Sequence, residues 1–421
     1  MNSLQFVLVV VTALLVVSTS LFAYLYFKKE TESDESLSIS AMSLRLRDKI
    51  DTLTPSDRRF IFMPTVETCY RIPILITLKS GRIIAAIEKR FNLCHDYGHV
   101  DIRCRTSDDQ GASWSDEISI MSNGTNCVQN PCLVQDPTTK RIFCFGCENI
   151  EDTTQFERID SGYGDYSRKL LMCYSDDEGD TWSEHQDMSQ HGSTNDPPTD
   201  SDFSNGALKP EQTIWYGTGP HAGTVSQNGR LLIPIYYDYS VNKVRKWAGA
   251  TIWSDDHGET WTLGTEIGPF ISELSIVTLS TGQIYANGRV VSFRDNGRIE
   301  AWSNDDGDTW IDYRHNKTLL DPKVQASIVS LSDNRVVFVN PANNESRSNI
   351  TAQLSLDGGK TYTSSRLLHY CDGAYSAVIQ LDEDTLGVLF ERNHKSGEFV
   401  RFPISSFEES IPTASISLCY D

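Results

Sequence analysis

From Phe60 onward the chain is written in short apolar runs broken by turn residues. Ile74-Leu75-Ile76-Thr77-Leu78 is followed by Lys79-Ser80-Gly81 and then by Ile83-Ile84-Ala85-Ala86-Ile87. Two such runs around a short Gly-containing turn predict a β-hairpin. Similar hairpins are expected at Gly229 to Ile235, Ser275 to Tyr285, Ser327 to Val339 and Ala377 to Phe390. Period-two spacing recurs throughout, and no long helical period follows Leu53, although a short helix fits Ser43 to Leu53. The N-terminus is written differently. Leu4 to Phe27 carries no charge over 24 positions, long enough to cross a bilayer. Ser18 and Ser20 fit the −3 and −1 positions of a signal-peptide cleavage site. Lys28 and Lys29 would instead place the downstream domain in the cytoplasm by the positive-inside rule, so cleavage and orientation stay open. The expected division is 1–30 as a transmembrane signal-anchor or signal peptide, 31–58 as a polar stalk rich in Ser, Asp and Glu, and 59–421 as one all-β domain.

One octad punctuates the hairpins. It reads SDDQGASW from Ser107 to Trp114, SDDEGDTW from Ser175 to Trp182, SDDHGETW from Ser254 to Trp261, SNDDGDTW from Ser303 to Trp310 and SLDGGKTY from Ser355 to Tyr362. The pattern is S-x-D-x-G-x-[ST]-[WY]. Ser and Asp side chains can bond nearby backbone amides and Gly accepts positive φ, so each copy predicts a tight turn between two strands. The closing aromatic opens the next strand and can bury a large apolar area. The starts lie 68, 79, 49 and 52 residues apart, so one supersecondary unit recurs with insertions. That is the signature of a propeller or solenoid. None of the copies has the ligand frame of an EF-hand. Five near-identical copies cannot all be one active site, which makes the octad structural.

Composition narrows the classes. Gly and Pro together number 42 (27 + 15) and hydrophobic residues make up 39%, which suits strands and turns around a substantial core. The net charge of −20 argues against nucleic acid as a partner and leaves room for a local basic pocket. Sequons at Asn123, Asn316, Asn344 and Asn349 point to a lumenal or extracellular domain. Ten cysteines fit an oxidising compartment. Cys127, Cys132, Cys144 and Cys147 loosely imitate a zinc site. The segments between them read as a hairpin turned at Asp136-Pro137, so disulfides or buried thiols are preferred. No motif calls for a metal or cofactor.

The octad is the Asp-box, and five of them resemble the sialidase (neuraminidase) superfamily of six-bladed β-propellers, with four-stranded antiparallel blades. Sortilin-like receptors and some glucanases also carry Asp-boxes, so other residues must choose. About 360 residues shared among six blades gives roughly 60 each, within reach of a four-stranded blade with loops. Tyr70-Arg71-Ile72-Pro73 matches the family's [FY]-R-I-P motif, before the first Asp-box. By that resemblance Arg71 is the first of three arginines that bind the substrate carboxylate, a task suited to the paired hydrogen bonds of a guanidinium. Asp96, in Asn92-Leu93-Cys94-His95-Asp96, is implied as the general acid/base. Read alone, it is an ordinary loop Asp. Glu88 and Arg90 match a family E-x-R segment, with Arg90 a candidate for the sugar's ring hydroxyls. Glu273 and Arg289 bracket the hairpin turned at Thr281-Gly282. A three-residue loop would put them opposite one another on one face, and a two-residue loop on opposite faces. In the family such an Arg is the second carboxylate ligand and the Glu activates the nucleophile. Family position makes Arg347, which lies between two sequons, the third arginine. Tyr375, in Gly373-Ala374-Tyr375-Ser376, matches the nucleophile, sialidases being the tyrosine exception among glycosidases. Glu391 matches the carboxylate that braces the first arginine. His221, in Gly219-Pro220-His221-Ala222-Gly223, is expected to line the rim.

The resemblance covers about Phe60 to Phe407. It implies a retaining exo-α-sialidase that removes terminal sialic acid from glycoproteins, glycolipids and oligosaccharides. The domain would be lumenal or extracellular, membrane-anchored or secreted. A trans-sialidase would add an acceptor platform, for which Tyr236, Tyr237, Tyr239 and Trp247 are candidates if they are not strand core. A non-catalytic sialic-acid-binding propeller would keep the arginines and lose Tyr, Glu or Asp, and this chain has all three.

Overall fold

The alternating runs of the sequence become strands. The structure, a computed structural model, describes residues 57–91, 94–150, 168–188, 213–241, 244–291 and 296–407. The charge-free N-terminal run, its cleavage serines, the Ser43 to Leu53 segment and nearly all of 31–58 lie outside them. Arg58, assigned above to the stalk, is the first residue of β1 (Arg58–Phe62).

The strands assemble into four sheets. In the first, β2 (Cys69–Thr77), β3 (Ile83–Arg90), β4 (Val100–Ser107) and β5 (Ile118–Met121) pair antiparallel in order. One parallel bridge, Val100 to Cys127, joins them to β6 (Cys127–Gln135), β7 (Ile142–Asn149), β8 (Lys169–Ser175) and β9 (Gln186–Asp187). The second contains β10 (Thr213–Thr218), β11 (Thr224–Val225), β12 (Leu231–Val241), β13 (Val244–Ser254), β14 (Thr262–Leu263) and β15 (Gly268–Pro269). The third is β16 (Ile271–Thr278), β17 (Ile284–Val290), β18 (Arg298–Ser303) and β19 (Ile311–Asn316). The fourth takes β20 (Ser327–Ser330), β21 (Val336–Pro341), β22 (Ser348–Ser355), the 17-residue β23 (Ser364–Gln380), β24 (Thr385–Arg392) and β25 (Ser396–Pro403). β1 returns to pair with β25. A single 3-10 turn, Ile404–Ser406, is the longest helical piece among the described residues.

Neighbouring strand groups bury one apolar layer after another. β2 to β4 pack on β6 to β8 through Ile76, Ile102 and Leu133, and those on β12 and β13 through Phe143, Phe145 and Ile233. The sequence of contacts continues to β16 and β17, then to β20 and β21, then to β24 and β25. Finally β25 and β1 pack back on β2 and β3 through Phe399, Phe62 and Ile87.

The Asp-box aromatics belong to these layers. Trp114, Trp182, Trp261, Trp310 and Tyr362 each sit in a different one. The layer between β21 and β25 has no Asp-box aromatic, and Phe407 packs there, 6.0 Å from the Phe402 ring. The turn itself is closed by short-range bonds. In the third copy Gly258 N–H donates to Ser254 Oγ at 2.9 Å, Thr260 N–H to Asp256 Oδ1 at 2.9 Å, and Trp261 Nε1–H to the Gly258 carbonyl at 3.1 Å. Gly258 has φ +87°, and a Cβ there would meet the Phe143 ring at 2.0 Å, so both the turn and the packing require glycine.

Candidate active site

Register puts the Asp-boxes at one end of the strands and the predicted site residues at the other. Thr77 pairs with Ile83 and Ile83 with Ser107, where the first Asp-box begins. At the opposite end of the same strands Arg71 pairs with Glu88 and Arg90 with Val100.

Four ladders break at the site end. β2 shifts register between Arg71 and Ile74, β6 between Gln129 and Cys132, β16 between Ile271 and Leu274, and β23 between Gly373 and Ser376. Pro73 and Pro131 lie within two of the breaks, where a residue without an N–H costs no ladder bond. Ile72 has φ +61°, a conformation that a β-branched residue adopts only when held there. What holds it is Glu391, whose Oε1 accepts the Ile72 N–H at 2.8 Å and Arg71 Nε–H at 3.1 Å. One fully buried carboxylate thus fixes the bulge and aims the arginine.

Arg289 and Glu273 face one another, as the three-residue loop alternative required. Leu279 pairs with Gln283 around Ser280-Thr281-Gly282, and Arg289 Nη1–H donates to Glu273 Oε2 at 2.7 Å. Tyr375 comes from the far strand β23. Its Oη–H donates in a short bond to Glu273 Oε1, and Arg289 Nη1 lies 3.4 Å from the same Oη. The guanidinium carbons of Arg71 and Arg347 stand 5.4 and 5.6 Å from the Tyr375 ring centre. Three cations from distant parts of the chain therefore converge on one phenol. Among the described residues, no carboxylate pairs with Arg347. Burial and the Glu273 charge push the Tyr375 hydroxyl well above its ordinary value, against the pull of Arg289, Arg347 and Arg71, so it rests protonated. Burial opposes the charges of Arg71 and Arg289, but Glu391 beside one and Glu273 beside the other more than offset it.

Asp96 enters from the loop after β3. Arg90 Nη1–H donates to Asp96 Oδ1 at 2.5 Å, and Arg71 Nη1 lies 3.8 Å from the same oxygen. Desolvation pushes this carboxyl up, while Arg90, Arg71 and Arg347 pull it down and prevail. The side chain is 78% exposed, so the arginines rather than burial decide its charge. Arg90 is itself fixed. Period-two geometry puts Glu88 and Arg90 on one face of β3, and Glu88 Oε2 accepts Arg90 Nη2–H at 2.6 Å. Glu88 Oε1 accepts the N–H of Asn130, at the β6 break, at 2.7 Å.

The structure thus brings together Arg71, Arg90, Asp96, Glu273, Arg289, Arg347, Tyr375 and Glu391. Gln325 joins them unforeseen. It is buried behind Tyr375, accepting the Ser376 N–H at 3.0 Å and donating to the Pro220 carbonyl at 3.0 Å. A lone Gln in Lys-Val-Gln-Ala carries no sequence signal. The disulfide Cys69–Cys94 likewise emerges only from the structure, since connectivity cannot be read from spacing.

Burial decides the remaining readings, correcting some and choosing between the alternatives of others. His221 does not line the rim. It is buried, with Nδ1–H donating to the Ala222 carbonyl at 2.7 Å and Nε2 accepting the Ile328 N–H at 3.2 Å. Burial pushes it down to about 4, so it is a neutral structural group. It lines a cavity of about 600 Å³ with Leu133, Ile276 and Val378, at the Asp-box end of the inner strands and apart from the site residues. Tyr236 and Tyr237 are buried strand core and offer no platform, while Trp247 stacks on Tyr236 at 6.1 Å. The Tyr239 side chain lies outside the description. Asn349 is buried, with φ +63°, and its sequon partner Thr351 is fully buried. A glycan at Asn349 has no room in the folded domain. Asn123 and Asn344 are exposed and Asn316 is half-buried. Cys127, Cys132, Cys144 and Cys147 are separate buried thiols on β6 and β7.

The BNR repeat-like domain family matches residues 81–388. A sialidase of Bacteroides fragilis is 25% identical over 347 residues, covering 76% of this chain and 60% of that protein. A sialidase of Micromonospora viridifaciens is 28% identical over 336 residues, covering 76% of this chain and 50% of its own length. The chain therefore spans half to three-fifths of these curated relatives. Among solved structures, Hadza microbial sialidase Hz136 superposes with a TM-score of 0.69 and 26% identity, over 81% of this chain and 66% of that one.

Proposed function

The chain belongs to the BNR repeat-like, sialidase family, and we propose that it is a retaining exo-α-sialidase acting on sialylated glycans of proteins, lipids and oligosaccharides. The observation that carries this reading is the Tyr375–Glu273 hydrogen bond enclosed by three arginines. A site that is cationic around a neutral nucleophile suits a substrate with a carboxylate on its reacting carbon. An anionic nucleophile would be repelled by that carboxylate, whereas a phenol that gives up its proton only on attack is not.

In this reading Arg71, Arg289 and Arg347 hold the substrate carboxylate, and Arg90 faces a ring hydroxyl. Tyr375 Oη attacks the anomeric carbon and its proton passes to Glu273. Asp96 gives its proton to the glycosidic oxygen as that bond breaks, leaving a glycosyl-tyrosine. Water then attacks the same carbon, losing a proton to Asp96. Tyr375 departs and recovers its proton from Glu273. Two displacements at one carbon retain configuration.

The six successive apolar layers, the last closing on the first, support a six-bladed propeller. In it β23 serves two blades, with Ser364–Asp372 paired to β22 and Gly373–Gln380 to β24. The Cys69–Cys94 disulfide and the exposed Asn123 and Asn344 sequons support a lumenal or extracellular location. Proton NMR of sialoside hydrolysis tests the chemistry. The α-anomer of free sialic acid should appear first and then mutarotate. First appearance of the β-anomer, or no turnover by folded protein across a broad pH range, would rule the reading out.

A further inference from the structure

Asp96 is the least enclosed of the reacting groups, on a loop of nine residues between Arg90 and Val100. A loop tip exposed to that degree needs anchors if its carboxyl is to meet a glycosidic oxygen. Hydrogen bonds from outside the loop supply some of them. Arg90 Nη1–H donates to the carbonyls of Cys94 at 3.0 Å and His95 at 3.2 Å, and Gln129 Nε2–H to the Asp96 carbonyl at 3.2 Å. A further anchor is covalent. Cys94, two residues before Asp96, is bonded to Cys69, two residues before Arg71. Cys69 is the first residue of β2, is 3% exposed and pairs in register with Arg90. The bond therefore ties the acid/base loop to the strand that carries a carboxylate-binding arginine. Its Cα atoms lie 5.6 Å apart, across the root of the loop. The seven free cysteines among the described residues include none on this loop.

We propose that the Cys69–Cys94 disulfide is a positioning element for proton transfer, holding Asp96 at a fixed distance from the arginine site, so that reduction selectively weakens hydrolysis of sialosides with poor leaving groups. The proposal rests on the sialidase reading. The selectivity follows from chemistry. An alkyl oxygen of a natural glycan must be protonated as it leaves, whereas an aryl oxygen leaves as a stable phenolate and needs little help. Displacing a catalytic group by about 1 Å costs on the order of 10²-fold. Carboxylate binding relies on Arg71, Arg289 and Arg347, and the braces of the first two, Glu391 and Glu273, lie on other strands. Opening the bond consumes two electrons and two protons, supplied by a dithiol that closes to its own cyclic disulfide while Cys69 and Cys94 become thiols.

The test compares the full chain with a Cys69→Ser/Cys94→Ser variant on a sialyl-oligosaccharide and on an aryl sialoside. The expected result is a fall of roughly 10- to 100-fold in kcat/KM on the oligosaccharide and less than about 3-fold in kcat/KM on the aryl sialoside, because kcat/KM reports the step in which the leaving group departs and not the water attack that both substrates share. A dithiol applied to the folded parent should reproduce the split, reversibly, and should leave the variant unaffected. This second arm decides the matter if the variant does not fold. Equal losses of kcat/KM on both substrates would show a merely structural bond, and no loss with the bond open by mass spectrometry would show an idle one. Either overturns the proposal in an active parent. A parent inactive on both substrates instead removes the sialidase reading on which it stands.

Discussion

The two ends of the strands are built on opposite principles. At the Asp-box end every defining hydrogen bond joins residues at most four apart, and the arrangement recurs five times. At the other end the defining contacts span the chain: Tyr375 to Glu273 is 102 residues, and Arg71 to Glu391 is 320. The first end is regular because each turn solves its own problem with its own residues. The second is irregular because four broken ladders aim different side chains at one point. Bulges are how a sheet re-aims a side chain without losing its layer, and four of them lie here. Stability is repeated and local; chemistry is single and assembled.

Variants at each end should separate these roles. Tyr375→Phe should cost the most, at least ~10³-fold in kcat, about 4 kcal/mol of barrier, with Tm nearly unchanged. A variant that retains a tenth of parental activity would remove Tyr375 from the reaction. Trp261→Ala at the other end should act on stability instead. It empties a 6%-exposed site between Phe143 and Phe145 and should cost about 3–5 kcal/mol in denaturant titration. Specific activity of the surviving folded fraction should be close to parental, and a matching collapse in kcat would mean that the ends are coupled.

Asp256→Ala removes the acceptor of the Thr260 N–H and hydroxyl and should cost about 1–2 kcal/mol with kcat/KM intact. The same turns set acid tolerance. Hydrogen bonds from Ser113 hold Asp109 down to about 2, below its ordinary 3.8. A lowered carboxyl contributes stability above its unfolded value and loses it as pH falls through the folded one. Melting temperature should thus hold to mildly acidic pH and drop between about 4 and 2, and a decline starting well above pH 4 would count against the turns.

The smallest effect concerns pH and the site. In the proposed mechanism Asp96 must carry a proton to act as acid, so activity is expected to fall as pH rises through its pKa. Arginines depress it in the free protein, and a bound carboxylate offsets part of their charge. The alkaline limb of kcat, which reports the complex, should therefore lie at higher pH than that of kcat/KM. Coincident limbs would mean that substrate charge does not reach Asp96.

Both ends were legible in the sequence to different depths. The Asp-boxes were readable outright, because their bonds lie within five consecutive residues and the spacing of Ser, Asp, Gly and Trp specifies the turn. The hairpins were readable because side chains alternate with period two. Arg71, Asp96, Glu273, Arg289, Arg347, Tyr375 and Glu391 were put forward through motifs of a family, not through local physics, which by itself gives an ordinary loop Asp and a lone Arg before a strand. Only tertiary structure decided that Glu273 faces Arg289, since the choice hung on one residue of loop length. It alone buried His221 and Asn349, turned Tyr236 and Tyr237 into core, paired Cys69 with Cys94 and placed Gln325 behind the phenol. The reason is range: the sequence states what each residue can do with its neighbours, while burial and partnership across a hundred residues or more are set by how the sheets close on one another.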